Sequence, residues 1–172
     1  MEPFSDGVVT LSLFVAGNAP VLRAADDDPE HRRRFDVPDD FVSSLQHSLG
    51  VIARWEHERM AGARFRLAVR DAMSATLLGG CEISPRLTGT ANLSYRTYPG
   101  HRGRRVASRA VALARRSAFE EFGLKRLEIL ADPNNTPPRR VALRNGFSEV
   151  GVLDGRILHI ADADESAECR DR

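Results

Sequence analysis

The stretch Tyr95-Arg-Thr-Tyr-Pro-Gly-His-Arg-Gly-Arg-Arg-Val-Ala-Ser-Arg-Ala110 decides the fold class of this chain. It ends a strand predicted over 90–98, turns at Pro99-Gly100, and enters a helical pattern over 104–122. The first turn of a helix carries about half a positive charge and several unpaired N–H donors. Arginines next to such donors favour the binding of a phosphate or pyrophosphate group.

The distribution of charge supports an anion-binding region. Between Ile83 and Phe119 there are eight arginines and no Asp or Glu, whereas the whole chain has a net charge of +1. The alternatives are a solvated basic helix face and a nucleic-acid surface. We expect no nucleic-acid partner, because aromatic residues are poorly interleaved and no helix-turn-helix pattern is present. The P-loop and GxGxxG spacings are also absent.

Length and composition indicate one globular domain. The 172 residues are 42% hydrophobic and 28% charged, which argues against a collagen, a disordered chain or a small disulfide scaffold. No apolar run approaches the ~18 residues of a membrane helix, so no membrane partner is expected. Two distant cysteines and no visible secretory signal predict a cytoplasmic location, and the arginine-rich usage indicates a bacterial source. We expect one domain over 1–161 and a frayed polar tail over 162–172.

The order of elements predicts an α+β fold with a mixed sheet, because an antiparallel run of strands is followed by alternating helices and strands. The charged stretch 26–36 is predicted to be a loop. Strands are predicted over 8–15, 64–70, 76–83, 90–98, 127–131, 147–153 and 157–160. Helices are predicted after Asn18 and over 38–60, 104–122 and 137–145.

Two motifs within 91–153 resemble those of the GCN5-related N-acetyltransferases (GNAT). Arg102-Gly-Arg-Arg-Val-Ala107 is similar to the pyrophosphate loop [Q/R]-x-x-G-x-[G/A]. Asn135-Thr-Pro-Pro-Arg-Arg-Val-Ala-Leu-Arg-Asn-Gly-Phe147 is similar to the second motif, and Asp132-Pro-Asn134 resembles the ribosomal-protein acetyltransferase branch, the RimJ/RimL-like proteins. The resemblance implies six or seven mostly antiparallel strands and about four helices, with the fourth and fifth strands splayed apart.

The resemblance implies transfer of an acetyl group from acetyl-coenzyme A to a primary amine, without a metal. The acceptor would be a protein N-terminus or a small molecule, and a homodimer is compatible with the fold. The pantetheine arm would pair with Tyr95, Arg96 and Thr97, and Asn135 would bind that arm or steady the backbone. A backbone N–H near Tyr95 would stabilise the oxyanion. The pyrophosphate would lie on Arg102, Gly103, Arg104, Arg105, Val106, Ala107 and Ser108.

The chain lacks the residues that usually transfer protons in this family. The usual acid and base positions hold Asn92, Pro138 and Ala142, none of which titrates. Glu82 on the third predicted strand is the candidate general base, with a solvent-facing strand residue as the alternative. The missing groups favour a second hypothesis, a catalytically weak coenzyme A-binding sensor or interaction protein. Arg105 replaces the loop glycine, and we expect an ordinary helical conformation because the helical pattern continues uninterrupted from Val106.

Overall fold

The computed structural model describes residues 3–34, 37–86 and 89–163. Within these ranges five α-helices and eight β-strands follow one another, with a 3-10 turn at Ala16–Asn18. The helices are α1 Ala19–Asp26, α2 Pro29–Arg34, α3 Leu45–Met60, α4 Val106–Glu120 and α5 Thr136–Arg144. The strands are β1 Phe4–Ser5, β2 Val9–Leu13, β3 Phe65–Asp71, β4 Leu77–Pro85, β5 Thr90–Thr97, β6 Arg126–Ala131, β7 Ser148–Leu153 and β8 Arg156–Asp162.

The strands form one mixed sheet in the order β1-β2-β3-β4-β5-β6-β8-β7. All neighbours are antiparallel except β5 and β6, which pair in parallel over three residues only, ending at Asn92↔Glu128. Beyond that pair the two strands diverge, while β5 stays paired with β4 as far as Thr97. The splay predicted between the fourth and fifth strands is therefore confirmed, and the added β1 shifts their numbers by one.

Each face of the sheet buries its own hydrophobic cluster, because side chains alternate along every strand. On one face, Leu67, Leu93 and Leu127 pack with Val111 and Ala114 of α4; we call this the α4–α5 face. On the other, Ala68 and Tyr98 pack with residues of α1 and α3; we call this the α1–α3 face. Helix α4, which follows the predicted pyrophosphate motif, thus covers one face of the sheet, and α1 and α3 cover the other.

The loop predicted over 26–36 is wrong in part, since residues 29–34 form α2. The Asp28 carboxylate accepts a hydrogen bond from the N–H of His31 at 3.3 Å, and Pro29 starts the helix. An aspartate followed by a proline is a helix-start signal. The stretch was predicted to be a loop because so many of its residues are charged, although it contains this helix-start signal.

The long helix predicted from Pro38 is wrong at its start, because α3 begins at Leu45. The Ser44 hydroxyl accepts a hydrogen bond from the N–H of His47 at 3.0 Å, which makes it an N-cap. The backbone before Ser44 is held by a side chain: Arg32 donates to the carbonyls of Pro38 at 2.6 Å and Phe41 at 3.2 Å. Tertiary contacts therefore replace helical hydrogen bonds before Ser44.

The first and last strands along the chain extend the sheet beyond the predicted strands. The short β1 pairs with β2 through Phe4↔Leu11. Asp162 ends β8 and binds Arg126 at 2.6 Å, so the last strand reaches the first residue of the tail predicted over 162–172. Residues 164–172 of that tail lie outside the described residues. No helix in the described part of the chain is long and apolar enough to cross a membrane.

Candidate functional site

The gap between the diverging strands opens into a cavity of about 540 Å3. A volume of this size suits a small organic ligand or the reactive end of a longer one. Side chains from both faces of the sheet border it, including the aromatic rings of Phe14 and Trp55. From the strands and α5 it is lined by Glu82, Asn92, Ser94, Tyr95, Arg96, Leu130 and Pro138.

In the part of the chain that the structure describes, the pairing of β5 with β6 stops at Asn92↔Glu128, while its pairing with β4 continues to Thr97. The Asn92 amide donates to the Glu128 carbonyl at 3.2 Å and closes the narrow end of the gap. Farther along, the Tyr95 hydroxyl donates to the Pro138 carbonyl at 3.2 Å and ties β5 to α5. An extended ligand can pair with the edge of such a strand as an added strand.

The loop between β5 and α4 leads from this edge to a helix N-terminus. Gly100 and Gly103 have left-handed backbone conformations, with φ of +81° and +77°. Such angles suit glycine, which has no Cβ to clash. Within the described residues, the N–H groups of Val106, Ala107 and Ser108 in the first turn of α4 donate to no protein acceptor. Three donors and the positive end of the helix dipole therefore meet beside the gap.

The side chains around this helix start add positive charge where the helix is already positive. The first turn of α4 contains no acidic residue, and Arg104 and Arg105 have no carboxylate within 4.0 Å in the described part of the chain. Cations at a helix N-terminus repel the dipole, typically by a few tenths of a kcal/mol to about 1 kcal/mol each. A bound anion would relieve this repulsion, so the electrostatics match an anion site.

Arg102, the first residue of the predicted pyrophosphate loop, is already paired. Its guanidinium lies 2.7 Å from Asp28 and 2.8 Å from Glu30, across a smaller cavity of about 120 Å3. Burial raises the pKa of Asp28, but the Arg102 guanidinium and the N–H groups of His31 and Glu30 outweigh it and hold that pKa below its usual value. The side chain of Arg102 thus joins the loop between β5 and α4 to α2.

The ordinary helical conformation expected for Arg105 is wrong. Arg105 occupies the N-cap position of α4 with φ of +60° and ψ of +12°, in the left-handed region. A side chain with a Cβ costs about 1–2 kcal/mol in that region. The helical pattern begins one residue later, at Val106, so it constrains the conformation of Val106 and leaves that of Arg105 free.

Replacing Arg105 by glycine should therefore stabilise the protein by about 1 kcal/mol, because glycine adopts the left-handed conformation without that cost. Urea denaturation measures the change. Arg104→Gly is the matched control, since the φ of Arg104 is not positive and glycine there gains nothing. Equal effects of the two substitutions would contradict the strain at Arg105.

Glu82 lines the larger cavity, so its side chain faces the gap between β5 and β6. Its carboxylate accepts from Arg66 Nε at 2.5 Å and from the Ser84 hydroxyl at 2.6 Å, and its side chain is 25% exposed. Arg66 also pairs with Glu58 and lies over the Trp55 ring at 5.2 Å. The carboxylate is thus held in place at the cavity wall by partners on both sides.

The remaining predicted positions divide between the cavity and its surroundings. Asn135 is the N-cap residue of α5 but makes no side-chain capping bond, and it does not border the cavity in the described residues. Both Pro138 and Ala142 belong to α5, but Pro138 lines the cavity, whereas Ala142 is fully buried in the core. Neither position brings a titratable group to the gap.

Cys81 also borders the gap, but its chemistry is suppressed. Burial raises the pKa of its thiol to about 12, so the reactive thiolate is not populated near neutral pH. Across the described ranges, no group of three or more His, Cys, Asp or Glu side chains could hold a metal ion. The groups lining the cavity that could serve in proton transfer are the Glu82 carboxylate, the His31 imidazole and the Tyr95 phenol.

Sequence reasoning missed several residues that line the cavity: Phe14, His31, Arg66 and Arg156. His31 lies on α2, the helix taken for a loop, and its only signal was the Asp-Pro start of that helix. Arg66 and Arg156 are strand residues whose pattern is the same as that of any solvent-facing arginine. Their positions depend on which strands neighbour one another, which periodicity does not reveal.

Comparison with known proteins places the chain among acetyltransferases. The family model of the acetyltransferase (GNAT) domain matches residues 9–148. An N-acetyltransferase named p20 from Bacillus licheniformis is 25% identical over 167 residues, covering 93% of each chain. Solved structures share the fold at lower identity.

Two of those structures cover nearly the whole chain. RimJ from Mycobacterium smegmatis, solved in complex with a CoA disulfide, has a TM-score of 0.75 at 20% identity and covers 98% of this chain and 88% of its own. The ribosomal-protein-S5-alanine acetyltransferase from Vibrio fischeri has a TM-score of 0.75 at 16% identity and covers 96% and 98%.

Proposed function

The chain belongs to the acetyltransferase (GNAT) family, and on that premise we propose that it transfers the acetyl group of acetyl-coenzyme A to a primary amine. One observation carries the proposal. The parallel pairing of β5 and β6 stops at Asn92↔Glu128, and β5 leads through its loop to the first turn of α4, whose N–H groups have no acceptor among the described residues. An extended thioester with a pyrophosphate at one end matches that succession of strand edge and helix N-terminus.

The proposed binding mode uses main-chain groups for most contacts. Tyr95, Arg96 and Thr97 would pair through their backbone with the amides of the pantetheine arm. The N–H groups of Arg102–Ser108 would hold the pyrophosphate, and the uncompensated guanidinium groups of Arg104 and Arg105 would add charge-assisted bonds. The two cavities support this arrangement, because Tyr95 and Arg96 line both of them and the smaller one extends to Arg102 and Ala107.

The chemistry then requires an amine in its neutral form. Its nitrogen would attack the thioester carbonyl, and a backbone N–H near Tyr95 would stabilise the negative charge on the carbonyl oxygen. The carbon–sulfur bond then breaks, an amide remains, and the thiolate takes up a proton from solvent. Glu82 would accept the amine proton, directly or through a water molecule. The bonds from Arg66 and Ser84 hold its carboxylate in place on the cavity wall.

The acceptor and the assembly are proposals of the same kind. A peptide N-terminus is supported by the likeness to ribosomal-protein acetyltransferases, and a small amine by the cavity of about 540 Å3. A homodimer and a cytoplasmic location remain predictions. A coupled assay of thiol release from acetyl-coenzyme A, run over a panel of peptide and small amines, tests the function. Coenzyme A binding without any thiol release would favour the sensor hypothesis, which Asn92, Pro138 and Ala142 support.

Acetyl-coenzyme A should raise the melting temperature, because a ligand bound only by the folded state stabilises it by mass action. At about a hundred times the dissociation constant the rise should be roughly 5 °C or more for a chain of this length. Differential scanning fluorimetry measures it. Acetyl-pantetheine, which lacks the pyrophosphate, is the matched control and should raise the melting temperature less. No shift with acetyl-coenzyme A would contradict the proposed binding.

Asn135→Ala should weaken coenzyme A binding several-fold while leaving the melting temperature of the free protein unchanged. The side chain makes no capping bond to α5, so the fold does not depend on it, whereas one lost hydrogen bond to the ligand is worth about 0.5–1.5 kcal/mol. Isothermal titration calorimetry measures the affinity. Asn134→Ala, at the exposed neighbouring position, is the control. An unchanged affinity would remove Asn135 from the proposed site.

A further inference from the structure

Two arginines line the larger cavity without a carboxylate to neutralise them. Arg96 extends from β5, and Arg156 begins β8 on the far side of the gap. Neither has an Asp or Glu within 4.0 Å among the residues that the structure describes. The third arginine of the cavity wall, Arg66, differs from them, because it is paired with Glu58 and Glu82. The cavity therefore carries two guanidinium charges in excess.

The guanidinium of Arg96 is held in place by the side chains of His31 and Tyr98, which carry no negative charge to neutralise it. Its Nη1 lies 3.2 Å from Nδ1 of His31, and its Nη2 donates to the Tyr98 hydroxyl at 3.3 Å. A guanidinium only donates, so His31 Nδ1 accepts here. The proton of the neutral ring is then on Nε2, which faces Asp26 at 3.5 Å. His31 thus stands between the Asp26 carboxylate and Arg96.

Strand alternation places this charge away from the pyrophosphate loop. Tyr95 contacts α5 on the α4–α5 face, so its neighbour Arg96 points to the α1–α3 face. Arg156 also points to the α1–α3 face, because Ile157, His159 and Ala161 share the buried face of β8 and Ala161 belongs to the core on the α4–α5 face. Glu82 and Arg66 are cross-strand partners, and Ala68 on that same face follows Arg66 by two residues. Both excess cations and the candidate base therefore share the face opposite α4.

We propose that the acceptor amine carries an anionic group, a carboxylate or a phosphate, which Arg96 and Arg156 bind while the amine lies beside Glu82. The inference rests on the proposed acetyl transfer and narrows its acceptor class. Guanidinium groups bind carboxylate and phosphate oxygens through paired N–H donors, whereas a neutral or cationic acceptor would leave both charges unmatched. Phe14 and Trp55 form an edge-to-face pair at 4.9 Å on the same wall and provide apolar contact area.

The chain supplies its own reporter for this site, because Trp55 is its only tryptophan and lines the cavity. Protein saturated with coenzyme A is titrated with benzoate, phenyl phosphate and the neutral benzamide, and binding is followed by Trp55 fluorescence and by calorimetry. We expect at least one of the two anions to bind about ten-fold more tightly than benzamide. Comparison of benzoate with phenyl phosphate then decides between carboxylate and phosphate.

Variants test whether the two arginines are responsible. Arg156→Gln, at an exposed position, should weaken binding of the preferred anion about ten-fold, and Arg96→Gln should do the same, while neither changes the affinity for benzamide. Arg86→Gln is the matched control, because Arg86 is exposed and lines neither cavity. Anions that bind no tighter than benzamide, or that bind equally to Arg156→Gln, overturn the proposal.

The proposal and the function that it rests on fail separately. Coenzyme A that binds while the anions show no preference overturns the acceptor class alone. An absent thermal shift with acetyl-coenzyme A contradicts the function itself. Anions that bind the free protein but are displaced by coenzyme A occupy the pyrophosphate loop, and that outcome also overturns the acceptor class.

Discussion

Replacing Gly79 by alanine is expected to destabilise the protein by about 3 kcal/mol or more. A Cβ at Gly79 would lie 2.2 Å from the carbonyl oxygen of Arg96 and 3.1 Å from the Cα of Thr97. Both are backbone atoms of β5, so no flexible side chain can move aside, and overpacking of this kind costs about 1–3 kcal/mol or more. Urea denaturation followed by circular dichroism measures the loss.

Gly50→Ala is the matched control for that substitution. Gly50 lies exposed in α3 with nothing within 4 Å of its added Cβ, and its φ is not positive. Alanine there should stabilise the protein by about 0.5–1 kcal/mol, because it favours the helix. The two glycines should therefore respond in opposite directions. Equal stability of Gly79→Ala and the parent would contradict the close approach of β4 and β5.

Glu82→Gln is expected to lower kcat about a hundred-fold, if an amine that the protein acetylates is used at saturation. General bases contribute roughly 10²–10⁴-fold, and glutamine keeps the size of the side chain while losing the proton acceptor. Steady-state kinetics across pH measure the effect. The rate of the variant should recover partly at high pH, where more of the amine is neutral in solution and needs no base.

The substitution Glu58→Gln tests whether Glu82 acts by accepting a proton or only by pairing with Arg66. Glu58 and Glu82 both pair with Arg66, but only Glu82 lines the cavity. Loss of the Arg66 pair through Glu58→Gln should therefore leave kcat within a few-fold of the parent. A drop as large as that of Glu82→Gln would show that both carboxylates act by positioning Arg66. Unchanged rates in both variants would contradict a role for Glu82 as the base.

The elements that the sequence predicted well are those with a strong local pattern. The alternation in 64–70 became β3, and the helical spacing after Val106 became α4. Both patterns work because a strand or helix with one buried face must repeat apolar residues at the matching interval. The predicted start of α3 was wrong because Phe41 continues the helical spacing of apolar residues. In the structure the carbonyl of Phe41 accepts a hydrogen bond from Arg32 and not from a helical N–H. Spacing alone does not show which partner a backbone group takes.

The position of the loop between β5 and α4 was predictable from the sequence, but its conformation was not. Its glycines and arginines are contiguous in the chain, so their spacing alone locates the loop between β5 and α4. Arg105 adopts φ of +60° all the same, because the loop enters α4 through a left-handed residue and tertiary packing sets that path. The arginine side chain gave no sign of it, since left-handed residues are usually glycine.

The amino-acid sequence by itself determined the strand-loop-helix unit over 90–120 and the family that it belongs to, because neighbours in the chain build that unit. Only the tertiary structure decided which charges remain available. It pairs Arg102 with Asp28, 74 residues earlier, and Arg66 with Glu82 on the adjacent strand, but brings no carboxylate to Arg96 or Arg156 in the described ranges. The physical reason is that ion pairs act over a few ångströms of space, whatever the separation along the chain. A net charge of +1 therefore does not reveal where charge is left unmatched.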